Sequence, residues 1–404
     1  MPPIRDAFLN LLGTALGNPC AAPVPELSPA QWSELASLAM AHKVLPLIFE
    51  PAYPLVSRAD PALAAALKRQ VRQQVIVQTL RTADFLELYR ALEETGAAPL
   101  VVKGIVCRQL YPKPDHRPSA DEDLLIPPEQ LGLCHEVMTR LGLSTTESDP
   151  ENAYEVPYRK PGSPLYIELH KQLFPPGFRT ADSEFNDFFG TLHRHNTIQE
   201  VPGGRVRTLH PTDHMTYLLF HAFKHFLHSG FGIRQICDIL LFAHHHDERI
   251  DWEWVRLSCR CIRAEKFAAA VFAIGSRHLH FDPIGPWDAI DVDEMPLLED
   301  VLQAGIYGSS ELSRQHSSTV TLEAASARKS PQIGFLTAAF PSAKALEGRY
   351  PWLKKQPYLL PIAWAERMAA YLRETKHRPD SSLADALKIG AERVKLLRQY
   401  DIVN

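Results

Sequence analysis

Two acidic residues at the start of an apolar segment are the first candidates for chemistry in this sequence. Asp121 and Asp123 lie two positions apart, and Leu124 opens the apolar run that follows. Because side chains alternate between faces along a β-strand, both carboxylates would lie on one face and Glu122 on the other. Two like charges on one face repel each other and need a counter-charge, and a divalent cation is the usual one. Mg²⁺ binds one or two carboxylates together with substrate phosphates. The spacing suggests a metal-dependent site for nucleotide phosphates, and the alternative is a solvated acidic pair beside a strand.

A glycine turn upstream could bring further groups to an anion. Residues 98–102 read as a buried strand, Gly104 ends it, and residues 105–111 read as the start of a helix. Glycine at such a turn lets backbone N–H groups approach an anion closely, and a helix N-terminus favours negative charge. Lys103 would add a mobile positive charge for a phosphate.

A third carboxylate comes from a later alternating segment. Ile167 and Leu169 would face the core, while Glu168 and His170 would lie on the opposite side with Tyr166. Glu168 could therefore join the two aspartates from another strand.

These residues together resemble a known family. The arrangement is similar to the polymerase-beta-type nucleotidyltransferase superfamily and, more narrowly, to the bacterial family of uncharacterised nucleotidyltransferases. The pattern of that family is a Lys-Gly turn, a tyrosine, an arginine, an Asp-x-Asp before apolar residues, and a later acid-apolar-His. The sequence matches this pattern at Lys103-Gly104, Tyr111, Arg117, Asp121, Asp123, Glu168 and His170. The wider superfamily normally has Gly-Ser at the turn, so its serine contact to phosphate is absent from this sequence.

The resemblance extends to a second motif, which consists of the run from His221 to His225 followed by Arg234 and Asp238. Arg234 and Asp238 lie four apart on a predicted helix. They could form an ordinary intrahelical ion pair. Alternatively, Arg234 contacts a phosphate or the acceptor and Asp238 orients it.

Four histidines recur along one predicted helical face, namely His214, His221, His225 and His228. Three interpretations stay open: a zinc site, a lining of the nucleotide or acceptor pocket, and a polar face packed against the core. A zinc peptidase would need His-Glu-x-x-His, and Ala222 occupies the position of its glutamate.

The resemblance implies a Mg²⁺-dependent transfer of a nucleoside monophosphate from a nucleoside triphosphate to a hydroxyl-bearing acceptor, with release of pyrophosphate. Two Mg²⁺ ions would be held by three catalytic carboxylates, Asp121, Asp123 and Glu168. The nucleotide or acceptor would be contacted by Lys103, Gly104, Arg117, His170, His221, His225, Arg234 and Asp238. The alternatives are an inactive nucleotide-binding or regulatory protein of the same fold and a phosphotransferase that uses the same metals. The acceptor is not specified, and it could be a small molecule, a peptide or a protein.

Composition sets broad limits. The chain has 404 residues and a formal net charge of −4, which disfavours bulk binding to nucleic acid. No apolar run is long enough to span a bilayer, and the N-terminus lacks a secretory pattern. The six cysteines are scattered without a Cys-x-x-Cys pair, so a reduced, cytoplasmic protein is expected.

The periodicity predicts an α+β fold in which a small mixed sheet is flanked by helical regions. Residues 1–95 read as helical, with one long helix over 61–94, and residues 96–203 read as the α/β nucleotidyltransferase core. Residues 204–404 read as the C-terminal helical region. The predicted smaller elements are strands near 98–102, 123–126, 154–158, 165–170 and 198–201, a helix over 128–141, a turn at 161–164, a helical stretch over 205–280, a linker at 281–296, a flexible loop at 309–333 and a helical tail over 362–400.

Overall fold

The computed structural model describes residues 2–18, 24–173, 195–228, 231–306, 350–354, 356–364, 366 and 395–402. Over these residues the chain has the predicted α+β fold, with a small mixed sheet and many helices. It divides into two compact units. The first comprises Met1–Phe220 and Gly232–Asp291, and the second comprises His221–Phe231 and Val292–Asn404.

Four helices come first in the chain: α1 (Pro2–Ala15), α2 (Pro29–Ala41), α3 (Leu45–Ala59) and α4 (Pro61–Glu94). Ser28 and Gln31 form a capping box at the start of α2, and each side chain accepts from the backbone N–H of the other residue. Asp60 caps α4 by accepting a hydrogen bond from the Leu63 amide at 2.9 Å. The predicted helix over 61–94 is confirmed at both ends.

The site-bearing sheet has four strands: β1 (Leu100–Val101), β2 (Glu122–Leu125), β3 (Glu155–Arg159) and β4 (Tyr166–His170). Their order is β1-β2-β4-β3, with β2 and β4 parallel and the other two pairs antiparallel. The turn predicted at 161–164 joins β3 to β4 as a hairpin, and Gly162 provides the positive φ of 77° that the turn requires.

One face of this sheet packs into the core and the other carries the polar residues. Ile167 and Leu169 of β4 are fully buried in the same apolar cluster as Leu124 of β2. Asp123 is paired in register with Glu168, so their side chains lie together on the opposite face. The alternation predicted for 165–170 is therefore confirmed. Two helices follow β1 and β2 along the chain, α5 (Ile105–Arg108) and α6 (Leu131–Arg140).

A second sheet corrects one prediction. Strands β5 (Asn196–Val201) and β6 (Gly204–Leu209) form an antiparallel hairpin, so residues 204–209 are a strand and not the start of the helical region. Val206 is buried between two exposed or half-buried arginines, which is the period-2 pattern of a strand. The helical periodicity that begins at residue 211 does not reach back to this segment.

The α-helices that follow along the chain include α7 (Pro211–His228), α8 (Ile233–His246), α9 (Trp252–Cys261), α10 (Glu265–His278) and α11 (Met295–Ile306). Residues 360–364 and 395–399 are helical as well. No helix or strand lies between α10 and α11, which agrees with the predicted linker at 281–296 except for its last two residues. The loop predicted at 309–333 and most of the tail predicted over 362–400 lie outside the described residues. No described helix is long and apolar enough to cross a membrane.

Candidate active site

Two neighbouring strands bring three potential metal ligands together on the polar face of the sheet. Asp123 lies on β2, and Glu168 and His170 lie on β4. The Nε2 atom of His170 is 3.2 Å from Oδ1 of Asp123 and 3.8 Å from Oε2 of Glu168. One ligand atom from each residue fits within a separation of 4.8 Å. Among the described residues, this is the arrangement that could hold a cation.

Lys103 brings a positive charge to the same carboxylates. Its Nζ atom lies 3.5 Å from Oδ2 of Asp123, and the side chain is 12% exposed. The Val102 amide, one residue earlier, donates to the backbone carbonyl of Asp123 at 3.0 Å. This hydrogen bond holds the backbone next to Lys103 beside β2. Burial lowers the pKa of Lys103, but Asp123 and Asp121 raise it more, so its net pKa is raised and the ammonium stays charged.

The carboxylates repel one another across the site. The pKa of Glu168 is raised to about 7, first by burial and then by the charges of Asp123 and Asp121. Asp121 is half-buried and directly precedes β2, close enough to act on Glu168, Lys103 and Arg234 through its charge. It is not a member of the compact group formed by Asp123, Glu168 and His170. Its predicted role as a direct metal ligand therefore stays a prediction.

A buried ion pair anchors the loop before β2. Arg117 binds the carboxylate of Asp238 on α8 through two hydrogen bonds of 2.7 and 2.5 Å, and the hydroxyl of Tyr111 donates to the same carboxylate at 2.7 Å. Burial opposes both charges, but their mutual attraction dominates. The pKa of Asp238 is accordingly lowered and that of Arg117 is raised.

This pairing corrects the expected ion pair within α8. Asp238 is engaged by Arg117 and Tyr111, while Arg234 donates to the backbone carbonyl of Pro118. Burial and the nearby charge of Arg117 lower the pKa of Arg234, and Asp238 and Asp121 oppose this effect. The predicted contacts of Arg117, Arg234 and Asp238 with a nucleotide or acceptor stay predictions.

Side-chain alternation alone does not indicate a role for Glu122, which lies on the core face of β2 and is fully buried. Glu122 forms an ion pair with Arg108, and its Oε2 atom accepts a hydrogen bond from the Ile105 amide at 2.7 Å. Gly104 adopts a φ of +66°, and a Cβ atom there would overlap the Glu122 carboxylate. In the structure, the anion bound at the Gly104 turn is therefore the Glu122 carboxylate of the protein itself. The predicted phosphate contact of Gly104 stays a prediction.

The histidines of α7 separate into different environments. His214 is fully buried, with its Nε2 atom 2.8 Å from the carbonyl of Val102 and its Nδ1 atom 3.3 Å from the Thr208 hydroxyl. Burial lowers its pKa to about 4, so the ring is neutral and Nε2–H donates to Val102. His214 therefore agrees with the third interpretation of this helical face, a polar face packed against the core.

His221 and His225 belong to the second compact unit. Their Nε2 atoms lie 3.2 Å apart, and their rings meet edge to face. Their predicted contact with a nucleotide or acceptor stays a prediction.

Comparison with known proteins identifies one family. The sequence model of a family described as uncharacterised nucleotidyltransferase matches residues 28–280, which is more than half of the chain. The match includes β1 to β6 and every candidate site residue discussed above. Neither a curated protein nor a solved structure matched the chain.

Proposed function

We propose that this chain, which belongs to the family of uncharacterised nucleotidyltransferases, transfers a nucleoside monophosphate from a nucleoside triphosphate to a hydroxyl-bearing acceptor and releases pyrophosphate. The observation that carries the proposal is the grouping of Asp123, Glu168 and His170 on one sheet face, with Lys103 beside them. Phosphoryl chemistry needs a cation and fixed positive charge at the phosphates, and this face offers positions for both.

The residues at this face fit a divalent ion. Carboxylate oxygens are the ligands that Mg²⁺ prefers. The pKa of Glu168 is raised first by burial and then by the charges of Asp123 and Asp121, and a cation between these carboxylates would offset that repulsion. Asp121, Asp123 and Glu168 would hold two Mg²⁺ ions. When bound, Mg²⁺ neutralises charge on the phosphates and makes the acceptor hydroxyl more acidic.

The side chains of the protein supply binding and proton transfer. Lys103 stays charged beside Asp123 and would attract the triphosphate, with Arg234 as a second cation near Asp121. The acceptor oxygen forms a bond to the α-phosphorus, and the bond from that phosphorus to the bridging oxygen of the β-phosphate breaks. Glu168 has two alternative roles: it would ligate an ion, or it would accept the hydroxyl proton as general base. The products are the nucleotidylated acceptor and pyrophosphate.

Binding of each nucleoside triphosphate with Mg²⁺ tests the proposal first. We compare the wild type with an Asp121→Asn/Asp123→Asn double variant by isothermal calorimetry. The expected result is metal-dependent binding in the wild type and at least a tenfold loss of affinity in the variant. A control with the same change in charge is Asp288→Asn/Asp291→Asn, since both of these carboxylates are exposed in the linker after α10.

Product identity then separates the alternatives. Pyrophosphate release supports nucleotidyl transfer, whereas a nucleoside diphosphate identifies a phosphotransferase with the same metals. Tight binding without turnover of any acceptor tested supports a nucleotide-binding or regulatory protein. The proposal fails if no triphosphate binds, or if the double variant binds as well as the wild type.

A further inference from the structure

We propose that His170 is itself a metal ligand through its Nε2 atom, so that this site prefers Mn²⁺ to Mg²⁺. The inference rests on the site of the proposed function and changes its ligand set. The carboxylates predicted from the sequence are Asp121, Asp123 and Glu168, whereas the compact group in the structure contains His170 in place of Asp121.

The separations of the ligand atoms support one shared ion. An ion with ligands at about 2.1 Å and octahedral geometry has neighbouring ligands about 3.0 Å apart. Nε2 of His170 lies 3.2 Å from Asp123 and 3.8 Å from Glu168. Small rotations of the Glu168 side chain, which is 25% exposed, would complete one face of an octahedron. The three remaining positions would be open to phosphate oxygens and the acceptor.

The other nitrogen of the ring lies near a carboxylate, at a separation longer than a hydrogen bond, and has no hydrogen-bond partner among the described residues. Nδ1 of His170 lies 3.7 Å from Oε2 of Glu155, which is the residue paired with His170 across β3 and β4. Histidines that bind metals commonly direct their second nitrogen toward a carboxylate, which fixes the ring and raises its basicity. His170 is only 6% exposed, so the ring cannot turn its Nε2 atom toward solvent without repacking.

The donor set selects the kind of metal. Mg²⁺ takes oxygen ligands and tolerates nitrogen poorly, while an imidazole suits transition metals. Mn²⁺ shares the octahedral oxygen coordination of Mg²⁺. As a transition metal it also binds an imidazole nitrogen more readily than Mg²⁺ does. Two carboxylates and one imidazole therefore favour Mn²⁺ when both ions are available.

Electron paramagnetic resonance of the Mn²⁺-loaded full chain tests this directly, without nucleotide or turnover. Pulsed spectra of the wild type should show a nitrogen coupling to Mn²⁺ that changes when the histidines are labelled with ¹⁵N. His170→Gln should abolish the coupling and weaken Mn²⁺ binding at least tenfold, while Mg²⁺ affinity changes less than threefold. His135→Gln is the matched control, because His135 is an exposed histidine of the same unit that bonds to the Tyr158 hydroxyl.

The inference is overturned if Mn²⁺ does not bind at millimolar concentration or if the wild type shows no histidine coupling. It is equally overturned if His170→Gln weakens Mg²⁺ and Mn²⁺ alike, because His170 would then only donate a hydrogen bond to Asp123. A chain that binds Mn²⁺ through His170 but binds no triphosphate would retain this inference and lose the proposed function. The spectra of the wild type do not depend on whether the variant folds.

Discussion

Asp123 is the residue around which the candidate site is arranged. Its side chain meets Lys103 through one oxygen and His170 through the other, while its backbone pairs with strands on both sides. It is 1% exposed, so its charge is compensated by these neighbours and not by water. Because water does not reach Asp123, its negative charge is neutralised either by Lys103 alone or by Lys103 together with a bound cation.

Lys103 gives a prediction at the scale of one residue. Lys103→Met should weaken Mg²⁺-dependent triphosphate binding at least tenfold, about 1.4 kcal/mol or more, because it removes the charged group next to the metal ligands. Calorimetric titration measures the loss. Lys113→Met is the control, since Lys113 is an exposed lysine that pairs with Glu50 on the surface. Equal binding by the two variants would remove Lys103 from the site.

The sequence predicts the sheet face of a site residue where side-chain alternation within one strand determines that face. Alternation along β4 correctly placed Glu168 and His170 opposite Ile167 and Leu169. The partner of Asp238 could not be found in this way. Its arginine lies 121 residues away, and the sequence offered Arg234, one helical turn distant, as the nearer candidate.

At the scale of elements, the turn between β1 and α5 is connected to β2 by a buried clasp, which we define as Glu122, Arg108 and the Ile105 amide. Arg108 also bonds to the Ser119 hydroxyl, so the clasp spans the segment that leads to the aspartates. Alternation predicted that Glu122 points away from Asp123. Alternation could not predict that Glu122 is buried as a charged residue. A buried charge is tolerated only with a partner, and here the fold supplies Arg108.

The clasp should behave as one energetic unit. Glu122→Gln alone leaves Arg108 charged and buried, and we expect it to cost roughly 3–5 kcal/mol of the unfolding free energy. The Arg108→Met/Glu122→Gln double variant removes both charges and keeps an acceptor for the Ile105 amide, so it should recover more than half of that loss. Urea unfolding of the two single variants and the double variant measures the coupling. Additive losses would show that the two side chains act independently.

The strand β6 shows where prediction of elements fails. Residues 204–209 alternate over only six positions and adjoin the strong helical periodicity of α7. The longer helical pattern therefore leads to the incorrect prediction that this segment is helical. The Gly203–Gly204 turn was the available signal for a hairpin, because Gly203 adopts a φ of +91° there. Thr208 of this strand donates to the Val101 carbonyl at 2.7 Å and thereby supports β1.

At the scale of the whole molecule, the helical region that follows the sheet contributes to its stability. His214 on α7 bonds the carbonyl of Val102, which directly precedes Lys103. Phe242 on α8 packs against the same imidazole, with ring centroids 4.6 Å apart. The backbone that presents Lys103 is thus held by a residue more than one hundred positions later in the chain.

This contact makes stability depend on pH. The pKa of His214 is lowered to about 4 from its usual 6.5, so its stabilising effect is complete above pH 6.5 and is lost as the pH falls toward 4. The loss should be on the order of 3 kcal/mol. His214→Gln can still donate to Val102 but does not titrate, and its unfolding free energy should fall less between pH 7 and pH 4. Urea unfolding at both pH values measures the difference, with His135→Gln as the control. An identical decrease in wild type and His214→Gln would contradict the assignment.

The parallel pairing of β2 with β4 has a consequence for the order of events during synthesis. Asp123 and His170 are 47 residues apart in the chain, and parallel strands meet only after a long intervening connection has been made. Closing such a loop costs entropy before any contact across it forms. The nascent chain therefore cannot assemble these ligands until His170 has emerged from the ribosome. A metal ion that binds all three would stabilise only chains in which this sheet is already complete.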